Sequence, residues 1–365
     1  MTVPTRETAP DQTGAAPVPG ILRRCRELVR PALATAVERL HPWPAEMAAY
    51  SLGWCEVGGA PAVGSAGKGV RQAMAVLSAE AAGASGGAGV PGAVAVELVH
   101  TFSLMHDDIM DGDATRRRRP TVWKAYGTGP AVLAGDALFA LAVETLAGTD
   151  AAHRPASVRH LAAALTDLVR GQADDLLFES RPWTGPERVG PDEYRAMAEH
   201  KTGALLGCAA ALGAVLAGAD GETVTALERA GRHAGVAFQV VDDMLGIWGT
   251  PGVTGKPVHG DLLRGKKTFP VLAALSALAH GSASTPERAA ARALAELLPS
   301  TDVLDESAAS RAAGLVEEAG GRAAALQEAR HHMAAVHACL DTVALAPRPV
   351  AELRALLAFL VDREM

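Results

Sequence analysis

The sequence predicts an all-α protein with one large helical domain, and three observations carry that prediction. Hydrophobic residues form 49% and charged residues 21% of the 365 residues, enough apolar surface for a globular core and no signature of global disorder. Aromatics make up only 4% of a chain crowded with Ala, Leu, Arg and Glu, a mixture that favours closely packed helices over sheets. From Ile21 onward the chain falls into helix-length runs separated by Gly, Pro and Ser clusters, with no alternating strand or hairpin pattern between them.

Taken in order, residues 1–20 lack the apolar segment of a secretory signal and read as a disordered tail before a single domain over 21–365. The first run, 21–40, contains Pro31, which removes a backbone donor and predicts a kink or a boundary. After a Gly-rich loop at 58–69, helices are predicted over 70–82 and 93–110. The second of these mixes Val96, Val99, Phe102 and Leu104 with Glu97, His100 and His106, as a central helix apolar on most sides does. Further helices are predicted over 131–147, 156–178, 191–217, 222–246, 269–279, 286–298, 307–340 and 349–362. Two uncharged stretches, 202–219 and 268–286, approach the length of a membrane span. Ala and Gly in the first, and Pro270, His280 and Gly281 in the second, mark both as buried segments, so no membrane span is expected.

Charge and cysteine content narrow the function classes. Lys plus Arg at 34 against Asp plus Glu at 41 gives a net charge of −7, which excludes a general nucleic-acid binder with a basic face. Cys25, Cys55, Cys208 and Cys339 are far apart and form no Cys-x-x-Cys pair, which reads as reduced thiols in a cytoplasmic protein.

The chemistry is concentrated where acidic helix ends meet basic loops. In H-D-D-I-M-D, Asp107 and Asp111 are four residues apart and share one helix face, with Asp108 about 100° round. An isolated acidic helix end is commonly a solvated surface feature. Here it follows an apolar helix, and carboxylates with open water positions are what Mg²⁺ takes when it also binds phosphate. A second run, F-Q-V-V-D-D-M-L-G, places Asp242 and Asp243 near the end of another apolar helix, with Gln239 just before them and Gly246 four after Asp242. Gln172 and Asp175 share a face of a third helix. An anionic substrate also needs cations: Arg116 to Arg119 follow the first pair, and Lys256, Lys266 and Lys267 follow the second. Repetition of acidic helix and basic loop points to a diphosphate held through metal ions.

These residues resemble the trans-isoprenyl diphosphate synthase (polyprenyl synthetase) family over nearly all of 21–365. The motifs that carry the resemblance are G-K-G-V-R (67–71), V-E-L-V-H-T-F-S-L-M-H-D-D-I-M-D (96–111), R-R-R-R-P-T (116–121), G-Q-A-D-D (171–175), K-T-G-A-L (201–205), F-Q-V-V-D-D (238–243), and G-K-P with D-L-L-R-G-K-K-T-F-P (255–270). The resemblance implies an isoprenoid-synthase-type helical bundle around a central cavity. It implies that Asp107, Asp111, Asp175 and Asp242 surround about three Mg²⁺ ions that bind an allylic diphosphate, with Arg116, Lys201, Thr202, Gln239, Lys256 and Lys266 as further contacts. Isopentenyl diphosphate falls by the same resemblance to Gly67, Lys68, Arg71, His100 and Arg117. His100 taken alone reads equally as a core histidine.

The implied reaction is a head-to-tail condensation of dimethylallyl, geranyl or farnesyl diphosphate with isopentenyl diphosphate. The allylic carbon–oxygen bond breaks, the second substrate's double bond attacks the cation, and a proton is lost to the released diphosphate. Metals and cations would stabilise the leaving group, and the 249–268 loop is expected to exclude water. The chain departs from the family pattern at Gly246, where an Asp is frequent, and at Gly69 and Gln72. Phe102 stands about 7.5 Å along the axis from Asp107 and, with small Ser103 beside it, resembles the channel floor of short-chain members that make geranylgeranyl diphosphate. An ordinary core aromatic is the other reading of Phe102. The alternatives are a farnesyl diphosphate synthase, a class I terpene cyclase and a non-catalytic partner subunit. The cyclase is disfavoured by the second-substrate residues and the absence of N-D-x-x-S-x-x-x-E. The family also implies a homodimer, and the tail is a candidate docking segment for a protein partner or compartment.

Overall fold

The computed structural model describes residues 17–62, 67–250, 258–278, 284–298 and 304–361. These form a helical bundle in which α1 (Val18–Glu38), α2 (Pro42–Ser51), α3 (Val70–Ala81) and α4 (Val90–Met110) lead to a short β-hairpin, β1 (Thr115–Arg116) and β2 (Arg119–Pro120). Next come α5 (Val122–Tyr126), α6 (Thr128–Ala147), α7 (Arg154–Ser180), α8 (Pro191–Ala198), α9 (Ala204–Leu216) and α10 (Gly221–Trp248). The remainder is α11 (Gly260–Leu263), α12 (Phe269–Ser276), α13 (Thr285–Leu297), α14 (Glu306–Glu318), α15 (Gly321–Asp341) and α16 (Pro347–Val361).

Two apolar clusters hold the bundle. One joins α1, α3, α4, α6, α9 and the first half of α10; the other joins α8, the second half of α10 and α12 to α15. Helix α9 is buried from Ala204 to Val215, so most of the 202–219 stretch is core, as its Ala and Gly content predicts, while 216–219 reach the surface. Two other helical segments, 86–110 and 128–147, are long and apolar enough to cross a membrane by length and composition. The first is central, with Ala93 to Val99 fully buried or nearly so, whereas α6 leaves part of its apolar surface open.

Several expectations are corrected by local chemistry. Helix α1 begins at Val18, so residues 18–20 belong to it rather than to the expected tail, whose residues 1–16 lie outside the described residues. Pro31 does not end α1: it and Glu27, whose carbonyl it leaves without a donor, are both exposed, and water can take that place. Helix α2 was hidden by its two prolines, yet Pro42 and Pro44 occupy the first turn, where backbone N–H groups have no intrahelical acceptor. The hairpin turns through Arg117 and Arg118 at φ of 52° and 65°, without the Asn or Gly that usually signals such a turn. The predicted 307–340 helix is two helices, broken where Gly320 adopts φ of 82°.

Candidate active site

The ends of α3, α4, α9 and α10, with the hairpin and α16, enclose a cavity of about 1010 Å³. Of the expected site residues, Gly67, Lys68, Arg71, His100, Ser103, Asp107, Arg116, Arg117, Lys201, Thr202 and Asp242 line it. Helix period explains the first wall. His100, Ser103 and Leu104 stand within about 60° of Asp107 round α4 and share its face. Phe102 is about 140° round, does not line the cavity, and meets Phe139 of α6 and His106 edge-on at 5.9 and 5.7 Å. Its ring thus packs against α6 rather than on the cavity face of α4. Asp111 caps α4 and is exposed one turn beyond Asp107.

Each acidic pair divides its labour. Asp107 faces the cavity, and burial first, with Asp111 adding and Lys201 opposing, pushes its carboxyl up to about 6. Its neighbour Asp108 is buried and takes Arg116 through Nε and Nη2 at 2.8 and 2.7 Å, which aims that guanidinium at the cavity. On the opposite wall Asp242 lines the cavity while Asp243 is buried. Asp243 accepts from Tyr194 OH at 2.5 Å, Phe269 N–H at 2.9 Å and Gln239 Nε2 at 3.1 Å. Burial and the nearby Asp261 push its carboxyl up to about 7.

Two expected ligands, Gln239 and Asp175, are engaged with protein side chains. Gln239 accepts from Thr202 Oγ1 at 2.7 Å and donates to Asp243, so it positions Thr202 and does not line the cavity. Asp175 is also set back: Lys201 Nζ is 2.5 Å and Lys266 Nζ 3.6 Å from its Oδ2. Burial alone would raise Asp175, but the two lysines outweigh it and hold its carboxyl below the usual range. Lys256 and the loop segment 251–257 lie outside the described residues. Lys201 reaches its place because residues Glu199–Gly203 form a π-helical turn between α8 and α9. A Cβ on Gly171 would sit 2.2 Å from the Lys201 backbone nitrogen, so only glycine lets α7 bring Asp175 alongside.

A second cationic end lies near the α3 N-terminus. Arg71 Nη1 donates to His100 Nε2 at 3.3 Å, which places the His100 proton on Nδ1. Burial lowers Arg71 to about 10, and burial with Arg71 and Arg117 holds His100 well below its usual range, hence neutral. Arg71 Nε is buried with no hydrogen-bond partner among the described residues. The Arg117 guanidinium packs on Gly67, where a Cβ would come within 2.9 Å of Nη2. Sequence reasoning missed the supports: Arg26 of α1 donates to the Gly67 carbonyl at 2.9 Å, and Phe359 of α16 lies 5.1 Å from Lys68 Nζ. Nothing local marks either one, because both come from distant helices.

Among the described residues no three His, Cys, Asp or Glu side chains form a closed metal cage. Carboxylates stand on separate walls with cations between them, which suits a hard divalent ion that completes its shell with water and phosphate oxygens. The polyprenyl synthetase family model matches residues 60–296. The chain belongs to this family. The synthase is 45% identical over 344 residues to a (2E,6E)-farnesyl diphosphate synthase of Mycobacterium tuberculosis, covering 94% of this chain and 93% of that one. It is also 45% identical over 332 residues to a geranylgeranyl diphosphate synthase of the same organism, covering 91% of each. A polyprenyl synthetase structure from Streptomyces coelicolor A3(2) is 46% identical with a TM-score of 0.84, covering 94% of this chain and 99% of that one. A geranylgeranyl pyrophosphate synthase structure from Corynebacterium glutamicum, complexed with calcium and isoprenyl diphosphate, is 27% identical with a TM-score of 0.72, covering 94% of this chain and 96% of that one. The synthase is thus a prenyltransferase of the short-chain trans-prenyl diphosphate type with the all-α isoprenoid synthase fold, and its carboxylate walls fit divalent-metal use.

Proposed function

We propose that this synthase condenses isopentenyl diphosphate with an allylic diphosphate and releases geranylgeranyl diphosphate. The observation that carries the product length is the cavity face of α4: beneath Asp107 it presents small Ser103, while Phe102 is turned toward Phe139. Asp107, Asp111 and Asp242 would hold about three Mg²⁺ ions, whose charge supports departure of the allylic diphosphate. Arg116, aimed by Asp108, and Lys201 neutralise the same group, and Thr202 is oriented toward it by Gln239. Lys68, Arg71, His100 and Arg117 receive the second diphosphate. Leu104, Leu168, Leu205 and Phe238 give the growing chain an apolar wall.

Mass spectrometry of products formed from isopentenyl diphosphate and each allylic starter in Mg²⁺ tests the reading. A C20 product, lost in Asp107→Ala, is expected; a C15 end product overturns the length and a cyclic hydrocarbon overturns the reaction. Ser103→Phe is expected to shift the product to C15, because an aromatic ring then occupies the cavity face beneath Asp107.

We also propose a homodimer through α6 and α7. Val132, Leu133 and Phe139 on α6, and Val169 and Leu177 on α7, are large apolar residues left exposed on neighbouring helices. Sedimentation at micromolar concentration is expected to give twice the chain mass, and a monomer would refute the proposal.

A further inference from the structure

The hairpin that carries Arg116 and Arg117 is strained where it turns and tied down where it returns. Its two central residues, Arg117 and Arg118, both have left-handed backbone, at φ of 52° and 65°, in a turn where Asn or Gly is usual. Residues with a Cβ keep that conformation only where the surroundings over-determine it. Arg118 is exposed, so the restraint comes from elsewhere. Arg119 spreads its guanidinium over three acceptors at and just beyond the end of α2. Its Nη2 donates to the Cys55 carbonyl at 2.7 Å and to Glu56 Oε2 at 3.0 Å, and its Nη1 to the Tyr50 carbonyl at 3.3 Å. The same guanidinium carbon lies 4.2 Å from the centroid of the buried Tyr50 ring. Tyr50 OH in turn donates to the Pro120 carbonyl at 2.8 Å, so β2 is fastened to α2 through both of its residues. Arg119 does not line the cavity. It pairs directly with Arg116 across the hairpin, where like charges repel, and each has acceptors of its own: Asp108 for Arg116, the end of α2 for Arg119.

We propose that Arg119 is a positioning residue for the second substrate: by clamping β2 to α2 it holds the strained turn, and the turn aims Arg117 at the cavity beside Gly67. Its loss falls on one diphosphate more than the other. Arg116 keeps a support of its own in Asp108, whereas Arg117 depends on the turn. The inference rests on the two-substrate reading above, and its test separates the two.

Steady-state kinetics of the full chain, with each substrate varied in turn and each variant melted alongside, reads the effect. Arg119→Ala is expected to raise KM for isopentenyl diphosphate about tenfold, the weight of one charge-assisted contact, and KM for the allylic diphosphate by about twofold or less. A merely structural role would lower kcat through the active fraction, or move both KM values together. Arg119→Lys keeps the charge but loses the planar fork, and is expected to show the same split. In an Arg118→Gly background the cost of Arg119→Ala is expected to shrink to about threefold or less, because glycine takes left-handed backbone without a steric penalty. An unchanged KM for isopentenyl diphosphate, an equal rise for both substrates, recovery by lysine, or an undiminished loss in the glycine background each overturns the assignment. Calorimetry with isopentenyl diphosphate needs no turnover and keeps the two readings apart. If the parent binds it without forming product, the reaction reading fails, and weaker binding in Arg119→Ala still supports the clamp; a parent that does not bind it overturns both. Should Arg119→Ala not fold, Arg119→Lys decides.

Discussion

The two acidic walls look alike in sequence and are built differently. On α4 the supports are near in the chain: Asp108 holds Arg116 eight residues on, and Thr121 Oγ1 and Trp123 Nε1 both donate to the Asp113 carbonyl at 2.8 Å. On α10 the supports come from afar. Asp243 ties Tyr194, 49 residues away, to Phe269, 26 residues on, and Asp261 reaches back under Gly246. The second aspartate of the first pair thus aims a cation, whereas the second aspartate of the second pair fastens helices. A repeated Asp-Asp in sequence does not mean a repeated role.

The largest expected break in this comparison is at Asp243. Asp243→Ala strands the Tyr194 hydroxyl and the Phe269 N–H in a buried site, and each orphaned group costs about 1–3 kcal/mol. A fall of about 2–5 kcal/mol in denaturant stability is expected. The adjacent Asp242→Ala is expected to melt as the parent does while losing prenyl transfer by about 100-fold or more. Equal stability of the two variants would erase the distinction between them.

A smaller effect is expected at the matching position of the first wall. Asp108→Asn removes the charge that holds Arg116 but keeps a hydrogen-bonding side chain. Transfer is expected to fall about tenfold, the weight of one charge-assisted hydrogen bond, with little change in stability. A steady-state assay beside a melt checks both halves.

The smallest effect concerns the lysine pair that follows the second wall. Lys266 faces Asp175, while Lys267 turns away and lies 3.7 Å from the Trp183 ring centroid. Burial lowers Lys267 from 10.5 to about 8. Between those values the unfolded chain binds more protons than the folded one, so this group makes stability rise with pH across that window, and its cost is fully present below about pH 8. Lys267→Met is therefore expected to raise the melting temperature at about pH 7, with the gain vanishing toward about pH 10. A gain that is independent of pH would assign it to packing alone.

Much of the first wall was legible because helix period and short spacing are properties of the chain itself. Asp107, the positions of His100 and Ser103, and the basic residues after α4 follow from residues within about two turns of one another. Phe102 shows the limit, since its distance from Asp107 is fixed by rise per residue but its use depends on which neighbour meets that side of the helix. Asp175 and Gln239 carry the right chemistry for ligands, yet other side chains engaged them first.

The sequence by itself determined an all-α chain, the two acidic helix ends, the cations that follow them and the family to which these motifs belong, because periodicity and motif order are local or additive properties. Only the tertiary structure decided which aspartate of each pair faces the cavity, that a π-helical turn against Gly171 delivers Lys201, and that the space at Gly246 is filled by Asp261. Those outcomes depend on groups distant in the chain competing for one buried volume, where a single charge must find a partner or a single Cβ has no room, and no window of sequence contains both competitors.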